Sequence, residues 1–258
     1  MSVNNLSKLF QYIGPLCIKP PIVDGMVMGT PATKIQLATS FFMADTCDSC
    51  GHCCPAEQAL LTESEYKRLM DYDEQAWADY GLNIDYLRKT RTLMEPELHT
   101  INGCSVKLYR HPERSQEIAV RNREPRSMCA HLFQYDDTHF RCSIHPIRSL
   151  TCRMPHTRIF YSVRGTVSFG ISQFGRNHLL GCKIQFKEPV TAEEFNTVKA
   201  NRLDMLNYML QIATDLKCET HVPTVIAYVD RCTFENYKAR VGVDFMPRAS
   251  MFAMLLPS

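Results

Sequence analysis

The sequence lacks the features of a membrane or secreted protein. No apolar run approaches ~18 residues, the length that a membrane-spanning helix requires. Residues 1–21 have neither the basic start nor the continuous apolar core of a secretory signal. We therefore expect a cytoplasmic protein with no membrane partner.

The chain also lacks a strong charge excess, a low-complexity segment and an internal repeat. Its net charge of +2 and its pI near 8.0 do not describe a globally basic nucleic-acid binder. Hydrophobic residues at 45% and charged residues at 22% are ordinary for a globular protein. A chain of 258 residues buries a core without a metal to hold it together. Composition specifies neither a macromolecular partner nor a redox donor.

Hydrophobic periodicity predicts a mixture of helices and strands. A threonine stands three residues before a glutamate at Thr62 and at Thr191, which is the spacing of a capping box. The first pair predicts a helix over residues 62–78, with a weaker pattern at 83–94, and the second predicts a long helix through residue 213. Residues 158–174 alternate β-branched and aromatic side chains around Arg164-Gly165, which predicts a hairpin. Residues 99–126 mix strand-like pieces with turn residues and receive no detailed assignment.

The sequence is unusual in its cysteines, of which it has 12. Because they cluster and no secretory signal is present, metal binding is a better explanation than disulfides. The segment Cys47-Asp-Ser-Cys50-Gly-His-Cys53-Cys54 spaces thiols so that they turn toward one centre, and Gly51 permits the tight backbone turn. Adjacent cysteines point in different directions unless the loop bends sharply, so one of Cys53 and Cys54 could face a second centre.

A second group of four cysteines follows downstream: Cys129, Cys142, Cys152 and Cys182. Thiolate-rich sites suit iron–sulfur clusters and zinc rather than magnesium or calcium. The C-x2-C-x2-C run resembles the cluster-binding run of ferredoxins, so we expect a 4Fe–4S cluster with a redox or catalytic role. The alternative is a structural zinc site in an interaction or assembly module.

The remaining cysteines have no neighbour at ligand spacing, and we expect them to be small buried side chains: Cys17, Cys104, Cys218 and Cys232. Four histidines lie close in sequence to the predicted ligands, but lone histidines are more often surface or hydrogen-bonding residues: His52, His131, His145 and His156.

Arg148 and Arg153 flank Cys152, and we expect them to bind the cofactor by offsetting the charge of its thiolates. A wider set of arginines makes nucleic-acid binding a less favoured alternative: Arg121, Arg123, Arg126, Arg141 and Arg158.

These motifs resemble the CxxCxxCC family of zinc- or iron-chelating proteins. The resemblance covers residues 47–182, in which the family's C-x-I-Y-x-x-R-P-x-x-C-R motif is matched at Ile144, Arg148, Cys152 and Arg153. The chain departs from the family by having His145 in place of tyrosine and Ser149 in place of proline.

The resemblance implies a chelated metal or cluster. One branch is similar to flagellin lysine N-methyltransferases, which implies a methyltransferase as a third alternative. The chain has no glycine-rich nucleotide fingerprint that would support this activity.

We accordingly expect an α+β protein, a single globular domain whose irregular cysteine-rich loops are supported by a small sheet and helices. Residues 1–46, which are punctuated by proline and glycine, should form an extended arm packed on the body. Residues 47–185 should form the zinc- or iron-chelating domain. Residues 186–258 should form a helical or mixed extension packed on it.

Overall fold

The computed structural model describes most of the chain outside the first cysteine cluster. It describes residues 4–46, 60–72, 75, 85, 88–89, 94–110, 113–114, 128–129, 131–134, 140–142, 144–153, 157–161, 165–171, 185–241 and 253–255.

Within these ranges the fold is α+β, as predicted. The helices are α1 (Asn4–Ile13), α2 (Glu63–Met70), α3 (Leu150–Arg153), α4 (Ala192–Asp215), α5 (Val222–Arg231) and α6 (Phe234–Val241). The strands are β1 (Ile22–Val23), β2 (Met26–Val27), β3 (Lys34–Ala38), β4 (Ala44–Thr46), β5 (Leu60–Thr62), β6 (Pro96–Ile101), β7 (Cys104–Arg110), β8 (Glu113–Arg114), β9 (Met128–Cys129), β10 (Leu132–Gln134), β11 (Phe140–Cys142), β12 (Thr157–Tyr161), β13 (Thr166–Ile171), β14 (Gln185–Lys187) and β15 (Ala253–Leu255).

The described strands form two larger sheets and three two-stranded pairs. The first has the strand order β2-β1-β6-β7-β5, and the second has the order β12-β13-β3-β15. Strand β3 pairs in parallel with β13 and antiparallel with β15, so it lies in the interior of its sheet. Two-stranded pairs join β4 to β14, β8 to β9 and β10 to β11.

The turn between β6 and β7 follows from its two residues, Asn102 and Gly103. Both have positive φ, at 50° and 79°, which is the backbone of a type I′ turn and favours this dipeptide. The resulting register pairs Ile101 with Cys104 at the turn and Pro96 with Tyr109 at the far end.

The predicted hairpin over residues 158–174 is confirmed by the antiparallel pairing of β12 with β13. Gly165 precedes β13 with a φ of 78°. A Cβ atom at this position would lie 2.5 Å from Oγ1 of Thr33, the residue before β3. Glycine is therefore required here both by the backbone angle and by the close approach of the neighbouring strand.

Helix α4 is the long helix that was predicted, and it lies against the main core. Its N-cap residue is Thr191, whose hydroxyl accepts a hydrogen bond from the Glu194 amide at 3.1 Å. Its buried side chains, including Phe195, pack with phenylalanines from distant parts of the chain, namely Phe41, Phe42 and Phe169. Their rings meet mostly at steep angles, as for Phe41 and Phe169 at 78°.

The prediction for helix α2 was right at its start and wrong at its end. Thr62 precedes the helix, and its amide donates to Glu65 Oε2 at 2.8 Å, as a capping box requires. The helix ends at Met70, before Asp71, whose carboxylate is unfavourable near the negative end of the helix dipole. Of the second predicted helix, residues 83–94, the structure describes helical positions at 85 and 88–89.

The segment expected as an extended arm, residues 1–46, has more regular structure than an arm. It begins with α1, whose apolar residues Leu9 and Ile13 are buried in the main core. It then supplies strands to the first and second sheets. Proline and glycine in this segment mark turns between short elements, which is why they obscured the pattern.

Among the described residues, no helix combines the length and apolarity that are needed to cross a membrane.

Candidate metal centre

The structure describes part of the predicted ligand set. Five of the eight predicted cysteine ligands lie outside the described residues: Cys47, Cys50, Cys53, Cys54 and Cys182. Cys129 ends β9, which pairs with β8. The two that are described with their side chains are Cys142, at the end of β11, and Cys152, in α3.

Cys142 and Cys152, which nine residues separate in the sequence, lie near enough for the charge of one to affect the pKa of the other. Cys142 packs against a small apolar cluster that includes Leu61 and Ile144. Burial raises the pKa of the Cys142 thiol to about 11, and the charge of Cys152 adds to the rise. Arg148 opposes this rise in the pKa of Cys142, because its positive charge favours the thiolate. Two thiols and one guanidinium therefore lie close enough for their charges to interact.

The chain between these cysteines is a compact turn held by Arg153. A short 3-10 turn over His145–Ile147 follows β11, and α3 begins at Leu150. Arg153 Nε donates to the carbonyl of Arg148 at 3.0 Å, and its Nη2 donates to the carbonyl of Pro146 at 2.7 Å. Its Nη1 pairs with Asp204 of α4 at 3.0 Å. All three guanidinium nitrogens of Arg153 are thus used within the protein.

Arg153 and Arg148 differ in their contacts. The hydrogen bonds of Arg153 fix the turn on which Arg148 and Cys152 stand. Arg148 is only partly buried, and its charge acts on Cys142. That the two arginines offset the charge of bound thiolates stays a prediction.

A buried carboxylate, Glu65, fastens this turn to the rest of the molecule. Its Oε1 accepts from the Leu150 amide at 3.0 Å and from the Tyr208 hydroxyl at 2.7 Å. Its Oε2 accepts from the Thr62 amide. Burial raises the pKa of Glu65, whereas these hydrogen bonds and the charge of Arg68 oppose the rise. One carboxyl group thereby joins β5, α3 and α4.

Two arginines lie over the ring of Tyr208. The guanidinium carbons of Arg68 and Arg153 are each 4.3 Å from the ring centroid, within the range of a cation–π interaction. Burial raises the pKa of Tyr208, and the neighbouring Glu65 carboxylate raises it further, so the hydroxyl remains a hydrogen-bond donor at neutral pH.

Strand pairings bring the flanks of the remaining cysteines together. Thr46, which immediately precedes Cys47, pairs with Gln185, three residues after Cys182. Within the second group of cysteines, Leu132, three residues after Cys129, pairs with Cys142.

Helix α4 links these two regions. Arg202 is buried and donates to the carbonyls of Phe41 and Met43, at 2.8 and 2.9 Å. Met43 lies four residues before Cys47. From Arg202 to Tyr208 the helix rises about 9 Å. Within that length it contacts the segment that precedes the first cysteine cluster and the turn that carries Cys152 in the second group.

No family model matches this chain, and comparisons with curated proteins and with solved structures find no match either. The resemblance to the CxxCxxCC family therefore stays a prediction from the motif. In the part of the chain that the structure describes, no group of three or more His, Cys, Asp or Glu side chains is arranged to hold a metal ion. The described residues include Cys142 and Cys152 but not the CxxCxxCC segment.

The four histidines that lie near the predicted ligands in sequence differ in their surroundings. His131 is buried and His145 is exposed, and His52 and His156 lie outside the described residues. Partial desolvation and then the charges of Arg148 and Arg153 lower the pKa of His145, so its ring is neutral at neutral pH.

The lone cysteines only partly follow the prediction. Cys17 and Cys232 are buried, as expected, whereas Cys104 is exposed and Cys218 is partly exposed. The expectation was wrong for Cys104, because it stands at the turn end of β7 where its side chain faces solvent.

Proposed function

We propose that this chain is a cysteine-ligated metalloprotein that holds an iron–sulfur cluster of the 4Fe–4S type and has a redox or catalytic role. The observation that carries the proposal is the hydrogen-bonded turn held by Arg153, which carries Arg148 and Cys152 and follows the strand that ends at Cys142. The CxxCxxCC segment would supply the other thiolates, and its flanks are joined to the same framework. The resemblance to a zinc- or iron-chelating family agrees with this proposal.

The described residues fit a soft metal centre chemically. A buried thiol whose pKa is raised to about 11 stays protonated in the absence of a strong positive charge. Coordination to a metal removes that proton, and metal affinity is therefore coupled to pH. Arg148 would reduce the remaining negative charge of the thiolates, which is costly to bury uncompensated.

The residues around the two thiols would position the ligands. When bound, a cluster would supply electron transfer at a potential set by charge, hydrogen bonds and solvent exposure. Arg153 and Glu65 hold the turn, and Arg148 supplies the positive charge. Such supporting interactions around ligands change metal affinity by ~10- to 100-fold when they are removed.

Metal and sulfide analysis of protein purified without oxygen tests the proposal. We expect iron and acid-labile sulfide, with a broad brown absorption that disappears on exposure to air. A colourless protein with stoichiometric zinc would overturn the cluster and support the zinc-dependent interaction or assembly module. Protein that binds neither metal would overturn both.

Single cysteine variants test the ligand set. Cys47→Ser, Cys50→Ser and Cys142→Ser should each lower metal content and stability together, because ligand binding energy contributes to folding energy at such sites. Cys104→Ser is the control, since this cysteine is exposed on β7 and outside the predicted set. Metal content equal to the parent in all three ligand variants would contradict the assignment.

A further inference from the structure

Asn102, in the turn between β6 and β7, bonds through its side chain to two segments that are distant in the sequence. Its Oδ1 accepts a hydrogen bond from the Ile22 amide of β1 at 2.9 Å, and its Nδ2 donates to the carbonyl of Lys217 at 2.8 Å. The backbone amide of Asn102 also donates to the carbonyl of Ile22 at 2.8 Å. One asparagine therefore connects the first sheet to the segment just beyond α4.

The segment beyond α4 also pairs with the end of the N-terminal helical region. Lys217 turns the chain away from the helix with a φ of 56°. The Ile18 amide then donates to the carbonyl of Glu219 at 2.9 Å, and the His221 amide donates to the carbonyl of Leu16 at 2.8 Å. The contact of Asn102 with Lys217 thus holds the first sheet against a junction of two other parts of the chain.

Asn102 precedes Gly103, and this is the only Asn-Gly pair in the sequence. Asparagine deamidates most readily before glycine, because glycine has no Cβ to hinder the approach of its own amide nitrogen to the asparagine side chain. Both residues are exposed, so water has access to them. The hydrogen bonds to Ile22 and Lys217 fix the side chain in one conformation. We therefore expect the reaction to proceed chiefly when the turn opens locally.

We propose that Asn102 is a site of spontaneous deamidation, and that its conversion breaks the connection between the first sheet and the segment beyond α4. The Gly103 nitrogen bonds to Cγ of Asn102, the Cγ–Nδ2 bond breaks, and ammonia leaves with the proton of the Gly103 amide. Water then opens the resulting succinimide at one of its two carbonyl carbons, which gives aspartate or isoaspartate. One water is consumed, one ammonia is released, and nothing is oxidised or reduced.

Either product removes the donor that Lys217 requires. A carboxylate has no N–H group, so the carbonyl of Lys217, now 2.8 Å from Nδ2, would face a negatively charged oxygen instead. An aspartate can still accept from the Ile22 amide. An isoaspartate also lengthens the backbone by one carbon, although the turn depends on the φ angles of 50° and 79° at its two residues. The contact with Lys217 is therefore lost in both products.

Peptide mass analysis of the full-length protein, incubated at mildly alkaline pH with and without urea, tests the proposal. Trypsin places Asn102 on residues 92–107 and Asn207, an exposed asparagine of α4, on residues 203–217, with no other asparagine on either peptide. We expect residues 92–107 to gain one mass unit, about 10-fold or more faster in urea than in the folded protein, while residues 203–217 stay unchanged. An unchanged 92–107 peptide in both conditions would overturn the site, and equal rates would overturn the protection by folding.

Gly103→Ala tests the chemistry without depending on the fold. In urea this variant should deamidate more slowly than the parent, because the added methyl group hinders the attacking nitrogen. An equal rate in urea would contradict the succinimide route.

Asn102→Asp tests the structural consequence, because it reproduces one product. It should unfold at a lower urea concentration than the parent, and the amides of Ile18 and His221 should exchange their hydrogens faster. Asn201→Asp is the control, since Asn201 is exposed on α4 and its substitution adds the same charge. If the two variants matched in unfolding midpoint and in exchange at Ile18 and His221, the proposed connection would be wrong.

Discussion

The backbone amide of Leu150 donates a hydrogen bond to the buried carboxylate of Glu65 at 3.0 Å. Leu150 begins the short helix that carries Cys152, and Glu65 lies five residues after the first described residue beyond the CxxCxxCC segment, Leu60. This hydrogen bond therefore joins the two cysteine-bearing regions through one side chain. The effects expected from replacing Glu65 follow from this connection.

Replacing Glu65 with glutamine should destabilise the protein. The side chain of Glu65 accepts three hydrogen bonds, but an amide has one oxygen and presents a donor in place of the other. At least one buried donor would lose its partner, at a cost of about 2 kcal/mol in the free energy of unfolding. Urea unfolding measures the loss. Glu63→Gln is a matched control, because Glu63 occupies the same helical turn but is exposed.

The same substitution should change how stability depends on pH. Burial raises the pKa of Glu65 above its ordinary value of 4.5, so the folded state binds its proton more tightly than the unfolded state. The stability contributed by protonation is complete below pH 4.5 and is lost as pH rises through the folded-state pKa. The difference in unfolding free energy between the parent and Glu65→Gln should therefore narrow from acidic toward neutral pH. A difference that is constant with pH would contradict this.

Replacing Arg148 with methionine should weaken metal retention without general unfolding. Methionine keeps much of the side-chain bulk but removes the charge that favours the Cys142 thiolate. We expect about 10-fold weaker retention against a chelator, or a lower reduction potential. Arg231→Met, on the exposed end of α5, controls for the loss of a surface arginine. If Arg148→Met holds its metal as tightly as the parent and has the same reduction potential, Arg148 does not stabilise the metal centre.

Replacing Arg153 with methionine should loosen the turn that carries Cys152. The carbonyls of Pro146 and Arg148 would each lose the hydrogen bond from Arg153, so we expect a loss of about 1–2 kcal/mol in unfolding free energy. Alkylation of Cys142 by iodoacetamide should also become faster. Asp204→Asn removes only the ion pair, whose carboxylate is 73% exposed, and should cost less than about 1 kcal/mol. Equal losses in both variants would show that the carbonyl contacts contribute little.

Replacing Gly165 with alanine should destabilise the second sheet. The new methyl group would lie 2.5 Å from Thr33 Oγ1, at a residue whose φ is already positive. Strain and crowding together should cost about 2–3 kcal/mol. Gly103→Ala is the control, because Gly103 has a similar φ but no atom within 4 Å of the added carbon, so we expect about 1 kcal/mol. Thermal or urea unfolding of the two variants compares them directly.

The sequence predicted the elements that depend on neighbouring residues. The capping pairs at Thr62 and Thr191 mark real helix starts, because the hydrogen bonds involved span only three residues. The β12–β13 hairpin was found for the same reason. The Asn102-Gly103 dipeptide is an equally local signal for the β6–β7 turn, since two positive φ angles in succession favour this dipeptide.

The residues that organise the candidate centre could not be predicted in this way. The sequence indicates Glu65 only as half of a capping box. Its second carboxylate oxygen, Oε1, accepts hydrogen bonds from Leu150 and Tyr208, which lie 85 and 143 residues away in the sequence. Spacing identifies ligands within one segment, but contacts between distant segments depend on tertiary packing.

The position of α4 in the chain has a consequence for protein synthesis. All the predicted cysteine ligands precede residue 183, but the helix that holds Met43 and Arg153 is completed only at Asp215. A nascent chain therefore contains all eight predicted ligand thiols before the helix that fixes their flanking segments is complete. At ~5–20 residues per second, α4 follows Cys182 after an interval of seconds. A chain released after residue 190 would carry every predicted ligand and lack the helix that organises them.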